Sequence, residues 1–378
     1  MATRKSAAPS APESIKKQQV VLVLQGGGAL GAYQVGVYQA LHEAGVEPDW
    51  VIGTSIGAIN GALIAGNPPE KRMERLNQFW QQVQRNPLGP IIGLWPTWGN
   101  AASNMATITM GIPSFFKPNP LAWVNSKMTL GIERAGYYST EQLRETLEEL
   151  VDFDYLAHSS SRLTVGAVNV RTGDMRYFDT REERLTPDHI MASGALPPAF
   201  PAVRIGGDPY WDGGIYSNTP IEAVLDDKPR RDAVIFSTQM WSPRGEEPNS
   251  LWEVMARMKD IQYASRSTNH IERQKQLHLL RHVIRELSST LTPAQRNTPE
   301  VKALTAWGCG TTMHVVKLNA PHMPGEDQTK DIDFTPTGVR ARRDAGYSQT
   351  LAALADRSWE GAEDPIEGVL VHEIEPAL

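Results

Sequence analysis

Short apolar runs alternate with segments of helical periodicity in the first part of the chain. Residues 20–24 form a continuous, largely β-branched run, and residues 32–44 then repeat apolar side chains at helical spacing until Gly45. A second run over 50–52 leads into small and aliphatic residues over 58–64. Continuous apolar runs are typical of parallel strands covered on both faces, so the pattern predicts a βαβ unit with a right-handed crossover.

The same periodicities predict the elements that follow. They predict helices over 69–84, 139–151 and 187–193, and a hairpin formed by residues 163–170 and 175–178. Further along the chain they predict a buried strand over 233–239, a long helix over 250–287, a strand over 313–318 and a last helix over 335–356. The chain is therefore expected to be an α/β protein whose C-terminal part is mostly helical.

The long helix predicted over 250–287 has a mixed pattern of apolar and charged residues. Its apolar residues are spaced to pack one face: Val254, Met258, Ile261, Leu277, Leu280, Ile284 and Leu287. The charged residues, together with His270, His278 and His282, are expected to form a solvated face. Contact of this face with a partner or with lipid is the alternative.

Residues 86–136 lack a helical or strand period and are rich in proline and glycine. Their large aromatic residues are Trp95, Trp98, Phe115, Phe116 and Trp123. One interpretation is a lid or substrate-facing insertion, because long loops without secondary structure are often functional. The other is that these rings simply cover the sheet.

Composition and charge exclude several classes of protein. Of the 378 residues, 40% are hydrophobic and 21% charged, which is typical of a globular protein. The net charge of −6 gives no long-range attraction to nucleic acid. We therefore do not expect nucleic acid to be a partner. Neither a membrane-spanning run nor a signal peptide is evident, so we expect a cytoplasmic protein with a disordered arm over residues 1–18.

A serine lies at the predicted junction between the second strand and its helix, in the sequence Gly53-Thr54-Ser55-Ile56-Gly57. This G-x-S-x-G pattern is typical of a sharp turn that exposes a nucleophilic hydroxyl, with glycines where side chains would meet the backbone. The pentapeptide alone is a weak signal, because it also occurs by chance in loops. Ser55 is therefore the candidate nucleophile.

Residues 26–31 (GGGALG) also follow a predicted strand and begin a helix. They fit the G-x-G-x-x-G fingerprint of dinucleotide binding, which needs an acidic residue at the carboxyl end of the second strand. Asp49 lies at the other end of that strand, so this alternative is weak. The backbone N–H groups of Gly27 and Gly28 are better suited to an oxyanion hole beside the elbow serine.

A serine nucleophile needs a base to accept its proton. The least implausible histidines are His189 and His314, yet no histidine occupies an evident loop at the end of a core strand. Asp212 is better placed, because it follows an aromatic pair and precedes two glycines that let another backbone approach. Partial burial beside Trp211 would raise the pKa of this carboxylate. A simple turn is the alternative for Asp-Gly-Gly alone.

Residues 26–31 (GGGALG), 53–57 (GTSIG) and 212–214 (DGG) together resemble the glycine-loop, elbow and Asp-Gly-Gly motifs of the patatin-like phospholipase family. The resemblance covers residues 20–240. It implies a three-layer α/β/α fold with a mainly parallel central sheet, and a Ser–Asp dyad that hydrolyses lipid acyl esters. It implies neither a metal nor a cofactor.

The resemblance also gives roles to single residues. Ser55 would be the nucleophile and Asp212 the general base, and the backbone of Gly26, Gly27 and Gly28 would form the oxyanion hole. The other glycines of the motifs would support these turns: Gly31, Gly53, Gly57, Gly213 and Gly214.

One residue departs from the family pattern. Many members carry Arg or Lys where this chain has Leu30, which argues against a strongly anionic substrate and favours neutral or short acyl esters. The catalytic domain is predicted over 19–240, with an insertion over 86–136. Residues 241–378 resemble the C-terminal extension of some bacterial members and are expected to pack on this domain or to complete it.

The resemblance predicts a carboxylic ester hydrolase, of the phospholipase A type, whose substrate is a lipid or another apolar ester. A carboxylesterase for short-chain or hydroxyalkanoate-type esters is one alternative. A non-catalytic scaffold or binding protein with the same fold is the alternative from another class. Transient contact with a membrane or lipid-particle surface, and a homo-oligomer or protein partner held through the C-terminal extension, are further expectations.

Overall fold

The computed structural model describes residues 15, 18–84, 111–125, 127–323, 326–361, 364 and 366–374. Its strands are β1 Gln19–Leu24, β2 Trp50–Gly53, β3 Lys117–Pro118, β4 Tyr138–Ser139, β5 Arg162–Asn169, β6 Met175–Asp179, β7 Val203–Ile205, β8 Asp208–Asp212, β9 Ala233–Gln239, β10 Met313–Asn319 and β11 Val369–Glu373. Its α-helices are α1 Ala32–Glu43, α2 Ile56–Ala65, α3 Pro69–Val83, α4 Pro120–Val124, α5 Glu141–Leu150, α6 Phe153–His158, α7 Pro187–Ser193, α8 Glu222–Leu225, α9 Leu251–Thr290, α10 Pro293–Arg296, α11 Pro299–Thr305 and α12 Pro336–Asp356.

One mixed sheet organises the described residues. Its strand order is β11-β10-β9-β1-β2-β5-β8-β7, and β6 also pairs with β5. The strands from β11 to β5 in this order are parallel to their neighbours, whereas β6 and β8 are antiparallel to β5, and β7 is antiparallel to β8. The predicted hairpin of β5 and β6 is confirmed.

Alternate residues of β1 face two separate hydrophobic cores. Leu22 and Leu24 belong to a large cluster that includes residues of α1, α2 and α3. Val21 and Val23 belong to a smaller cluster with Leu225 of α8 and Ile271 of α9. Because successive side chains of a strand point to opposite faces, helices cover both sides of the sheet. The predicted three-layer α/β/α fold with a mainly parallel centre is confirmed.

The C-terminal region continues this sheet and packs on its first helix. β10 pairs in parallel with β9, and β11, which the periodicity did not predict, pairs in parallel with β10. Gly36 and Gly346 let α1 and α12 approach closely, since a Cβ at Gly36 would lie 1.9 Å from the carbonyl oxygen of Arg343. The C-terminal region therefore contributes strands to the sheet and a helix that packs on α1.

The long helix α9 does not bury the face that its apolar pattern predicts. Val254, Met258 and Leu280 are 47%, 58% and 59% exposed, whereas His278 and His282 are buried. The imidazoles are tolerated inside because His282 Nε2 donates to the Thr311 carbonyl oxygen at 3.0 Å, and His278 Nε2 lies 3.5 Å from a second carbonyl oxygen. The predicted packing face, and the prediction that these two histidines are solvated, were wrong.

Only part of the aromatic insertion lies within the described residues. Trp95 and Trp98 lie outside them. The described remainder contains β3 and α4, and Phe116 is 6% exposed and packs into the large core. In the described part of the chain, no helix combines the length and the apolarity that crossing a bilayer requires.

Candidate active site

The elbow joins the carboxyl end of β2 to the N-terminus of α2. Ser55 has φ 57° and ψ −126°, a left-handed conformation that is unusual for a residue with a side chain. A Cβ at Gly53 would lie 2.3 Å from the carbonyl oxygen of Gly57, and a Cβ at Gly57 would lie 2.2 Å from that of Leu24. Both flanking positions therefore require glycine, as the motif predicts.

Ser193, at the end of α7, holds the elbow from the opposite side. The Ser55 N–H lies 3.1 Å from both the carbonyl oxygen and the Oγ of Ser193, so these atoms share the proton. Ser193 is fully buried and donates its hydroxyl to the Gly166 carbonyl oxygen at 2.7 Å. Strained backbone persists only where the surroundings fix it, so we infer that Ser193 positions Ser55. The sequence around Ser193 contains no motif that signals this contact.

Asp212 ends β8 and faces the elbow serine. It is 2% exposed and accepts a hydrogen bond from the Gly214 N–H at 2.7 Å. Burial raises its pKa to about 7, and the Gly214 N–H and the Ser55 side chain oppose this rise. Trp211 does not line the cavity around this carboxylate, whereas Tyr263 does. The carboxylate is thus fully buried, rather than partly buried against Trp211.

The glycine loop lies directly beside the elbow. The Gly26 N–H donates to the Asn218 carbonyl oxygen at 3.0 Å, whereas the N–H groups of Gly27 and Gly28 have no acceptor among the described residues. Gly26 is still needed as glycine, because a Cβ there would lie 3.1 Å from the Ser55 Cβ and closer still to Asn218. Of the three predicted oxyanion donors, Gly27 and Gly28 are therefore available to a substrate oxygen in this structure.

A buried hydrogen-bond network fixes this loop. Gln25 is fully buried; its Nε2 donates to Thr219 Oγ1 at 2.7 Å and its Oε1 accepts from the Trp241 N–H at 3.2 Å. Trp241 Nε1 and Asn218 Nδ2 both donate to the Gly26 carbonyl oxygen, at 2.8 and 3.0 Å. Sequence reasoning missed these residues, because their partners lie about two hundred positions away and become neighbours only in the fold.

The remaining motif glycines allow the three segments to approach one another. A Cβ at Gly31 would lie 2.5 Å from Ile56 Cγ1, and a Cβ at Gly213 would lie 2.4 Å from the Gly166 carbonyl oxygen. Gly214 contributes the N–H that Asp212 accepts. Leu30 is buried in the large core and does not line the site.

Ser55, Asp212 and the glycine loop share one cavity of about 230 Å³. The rest of its wall is largely apolar, with the aromatic residues Phe115, Phe116, Tyr138, Phe200, Trp241, Tyr263 and Phe334. No histidine is among the described residues that line it. His189 accepts from the Thr186 N–H, and His314 pairs with His372, so neither candidate histidine lies at the serine. The geometry is suited to acyl transfer on an apolar substrate.

Curated relatives match short segments of the chain. Patatin-like phospholipase domain-containing protein 6 of Mus musculus is 43% identical over 75 residues, which is 20% of this chain and 6% of that protein. Lysophospholipase nte1 of Aspergillus terreus is 62% identical over 48 residues, which is 13% of this chain and 3% of that protein. The matches thus span only a small part of these relatives.

A solved structure also overlaps the chain. The match with VipD from Legionella pneumophila covers 91% of this chain and 71% of the VipD chain, at 16% identity and a TM-score of 0.33.

Two family models cover most of the chain. One, described as patatin-like phospholipase, matches residues 22–225, and another, described as patatin phospholipase, matches residues 261–366. The first spans more than half of the chain and contains the glycine loop, the elbow and Asp212. The chain belongs to the patatin-like phospholipase family.

Proposed function

We propose that the protein is a serine acyl-ester hydrolase that acts on lipids or other apolar esters. The observation that carries this proposal is that the strained Ser55 and the buried Asp212 line one aromatic cavity together with the glycine loop. A carboxylate whose pKa is raised to about 7 is a stronger base than an exposed one, and it remains largely ionised just above neutral pH. Such a pair can activate a hydroxyl without a histidine.

In the acylation step, Ser55 Oγ attacks the carbonyl carbon of the ester while Asp212 accepts the hydroxyl proton. The negative charge that develops on the carbonyl oxygen is stabilised by the N–H groups of Gly27 and Gly28. When this tetrahedral intermediate collapses, the bond to the alcohol breaks and Asp212 returns the proton to the leaving alkoxide. The products are an acylated Ser55 and the free alcohol.

In the deacylation step, Asp212 accepts a proton from a water molecule that attacks the acyl-serine carbonyl. The same two N–H groups stabilise the second tetrahedral intermediate. Its collapse breaks the bond to Ser55 Oγ, which recovers the proton, and releases the carboxylic acid. Each cycle therefore consumes one ester and one water and restores both side chains.

The cavity supports an apolar acyl group as the part of the substrate bound at the site. Aromatic rings surround the reacting groups, and burial of apolar surface contributes about 25 cal/mol per Å². Leu30, where many family members carry a cation, is buried away from the cavity. The described residues that line the cavity include no lysine or arginine to pair with an anionic group. This supports neutral lipid or short-chain esters over strongly anionic substrates.

A fluorophosphonate probe followed by intact-mass analysis tests the nucleophile. We expect one adduct per chain, on Ser55, and no adduct on Ser55→Ala. Ser217→Ala, which changes a buried serine outside the cavity, is the matched control and should label like the wild type. Undiminished labelling of Ser55→Ala would show that the nucleophile is another residue.

A series of p-nitrophenyl esters from acetyl to palmitoyl tests the acyl class. A lipid acyl hydrolase should prefer the longer chains, and a carboxylesterase the shorter ones. Absence of both ester turnover and probe labelling from folded protein would favour the non-catalytic scaffold.

Contacts of this chain with a second copy, with a protein partner or with a lipid surface also remain predictions. The outward-facing apolar residues of α9, among them Trp252, Met255 and Met258, are the surface that supports a partner or a lipid-surface contact. Light scattering over a range of protein concentrations tests a homo-oligomer, and vesicle flotation tests lipid contact.

A further inference from the structure

One wall of the cavity comes from the C-terminal region, beyond the strand β9. Trp241, Tyr263, Asp331, Ile332 and Phe334 line the cavity together with Ser55 and the glycine loop. These residues lie outside the segment 22–225 that carries the three motifs. The C-terminal region therefore supplies part of the binding site.

Two ion pairs hold this wall in place. Lys259 of α9 contacts Asp331 at 2.8 Å, and Lys330 contacts Asp260 of α9 at 2.7 Å. The Asp331 carbonyl oxygen also lies against the glycine loop, only 2.3 Å from where a Cβ at Gly28 would be. The 3₁₀ turn Lys330–Ile332 is thus fixed between α9 and the glycine loop.

The cavity extends from the serine along helix α2. Ile56 and Ile59 both line it, and at 1.5 Å per residue Ile59 lies about 6 Å along the helix axis from Ser55. Trp80 is anchored to the same helix, because its Nε1 donates to Asn60 Oδ1 at 3.0 Å. An acyl chain that extends from the serine along this helix therefore approaches the side of the cavity behind which Trp80 is packed.

Phe334 lines the cavity and packs against Trp80. Its ring is 3% exposed and stacks on Trp80 with centroids 6.3 Å apart and an interplanar angle of 26°. Phe115 contacts Phe334 edge to face at 6.4 Å and contacts the buried Phe79 at the same distance. Phe334 therefore lies between the substrate cavity and the packed core.

We propose that Phe334 is the floor of the acyl cavity and sets the longest acyl chain that binds fully inside it. This inference rests on the proposed function, because it concerns the acyl group of the ester bound at Ser55. A shorter side chain at position 334 opens space toward Trp80, and a larger side chain at Ile332 fills the cavity. The C-terminal region is thus the specificity element of this site.

The test compares p-nitrophenyl esters from acetyl to palmitoyl on wild type and Phe334→Ala. Rates are divided by the number of sites that a fluorophosphonate probe titrates, so that unfolded protein does not contribute. We expect the preferred acyl length to increase, and the kcat/KM ratio of long to acetyl esters to rise about tenfold. Small changes in the volume of an apolar pocket change specificity by about tenfold or more.

Ile332→Trp gives the opposite test in the same assay. We expect this variant to lower the kcat/KM ratio of long to acetyl esters by about tenfold relative to the wild type. If Phe334→Ala does not fold, Phe334→Leu replaces it, with a smaller shift in the same direction.

Trp359→Ala is the matched control, because Trp359 is a buried aromatic residue of the same region that packs on Phe236 outside the cavity. It should lower Tm and leave the ratio of long to acetyl esters unchanged. An unchanged ratio in both Phe334 and Ile332 variants with titratable sites would overturn the inference. Absence of labelling and turnover in the wild type would instead overturn the proposed function.

Discussion

At the scale of single residues, burial makes one carboxylate of the cavity more basic. Asp212 lies in the cavity with Tyr263, and burial raises the pKa of both groups. The charges of Asp212 and Asp331 raise the pKa of Tyr263 further, so this phenol stays neutral at the pH where Asp212 ionises. Asp212 is therefore the group in this pair that changes charge near neutral pH.

We predict that kcat/KM depends on the ionisation of Asp212. The base must be ionised to accept the Ser55 proton, so activity should be low at acidic pH and rise with pH, with half of the maximum near pH 7. Asp212→Asn should reduce kcat/KM at pH 8 by about a hundredfold or more and abolish this inflection. A pH–rate profile on a neutral ester measures both effects. Near-native activity in Asp212→Asn, with loss in His189→Ala or His314→Ala, would show that a histidine is the base.

We predict that Ser193→Ala lowers kcat more than it changes KM. The substitution removes the hydroxyl that bridges Ser55 and Gly166, so the elbow becomes less well fixed while the apolar cavity is retained. The lost hydrogen bonds should reduce the free energy of unfolding by about 1 kcal/mol each. Steady-state kinetics and urea unfolding measure the two effects. Equal changes in kcat and KM would indicate a general structural defect rather than a loss of positioning.

At the scale of elements, the elbow is a close contact between backbones. The start of α2 lies so near the end of β1 that a Cβ at Gly57 would lie 2.2 Å from the Leu24 carbonyl oxygen. The obstructing atom belongs to the backbone of a central strand, which has little freedom to move. The glycine is thus required by packing between two elements, in addition to the turn itself.

We predict that Gly57→Ala destabilises the protein and misplaces the serine. Overpacking of this kind reduces the free energy of unfolding by about 1–3 kcal/mol. Here the strained residue lies only two positions after Ser55. The free energy of unfolding should fall by this amount, and the rate of fluorophosphonate labelling should fall with it. Gly361→Ala is the control, since a Cβ there has a single neighbouring atom within 4 Å among the described residues, at 3.4 Å. A Gly57→Ala variant that labels at the wild-type rate would contradict the predicted clash.

At the scale of the whole molecule, the N-terminal strands and the C-terminal region form one sheet and one core. β9 is buried along its full length, with β1 on one side and β10 on the other. Asp331, Ile332 and Phe334 line the cavity, and α12 packs on α1. The C-terminal region thus contributes to the sheet, to the core and to the site.

We predict that residues 1–240 alone do not form a stable monomer. Without residues 241–378, β9 becomes an exposed apolar edge strand, which favours aggregation, and the cavity loses one wall. Size-exclusion chromatography and thermal melting should show aggregates or the absence of a cooperative transition. The 378-residue chain prepared in parallel is the control. A soluble monomer of 1–240 that labels at Ser55 would contradict this prediction.

The sequence by itself determined the features that local physics controls. Apolar runs predicted the strands β1, β2, β5, β9 and β10, because a strand buried on both faces needs apolar side chains on both of them. The glycine spacing around Ser55 indicated the elbow, because only glycine fits where backbones nearly touch. These signals lie within a few residues of the element that they specify.

Only the tertiary structure decided what depends on distant partners. The apolar pattern of α9 predicted the wrong buried face, because the imidazoles of His278 and His282 become tolerable inside only when carbonyl oxygens from other segments approach them. The elevated pKa of Asp212 arises from burial by several elements. The position of Phe334 at the cavity arises in the same way, from stacking on a residue about 250 positions earlier in the chain. A local pattern contains no information about such neighbours, because the free energy of a side chain depends on what surrounds it once the chain has folded.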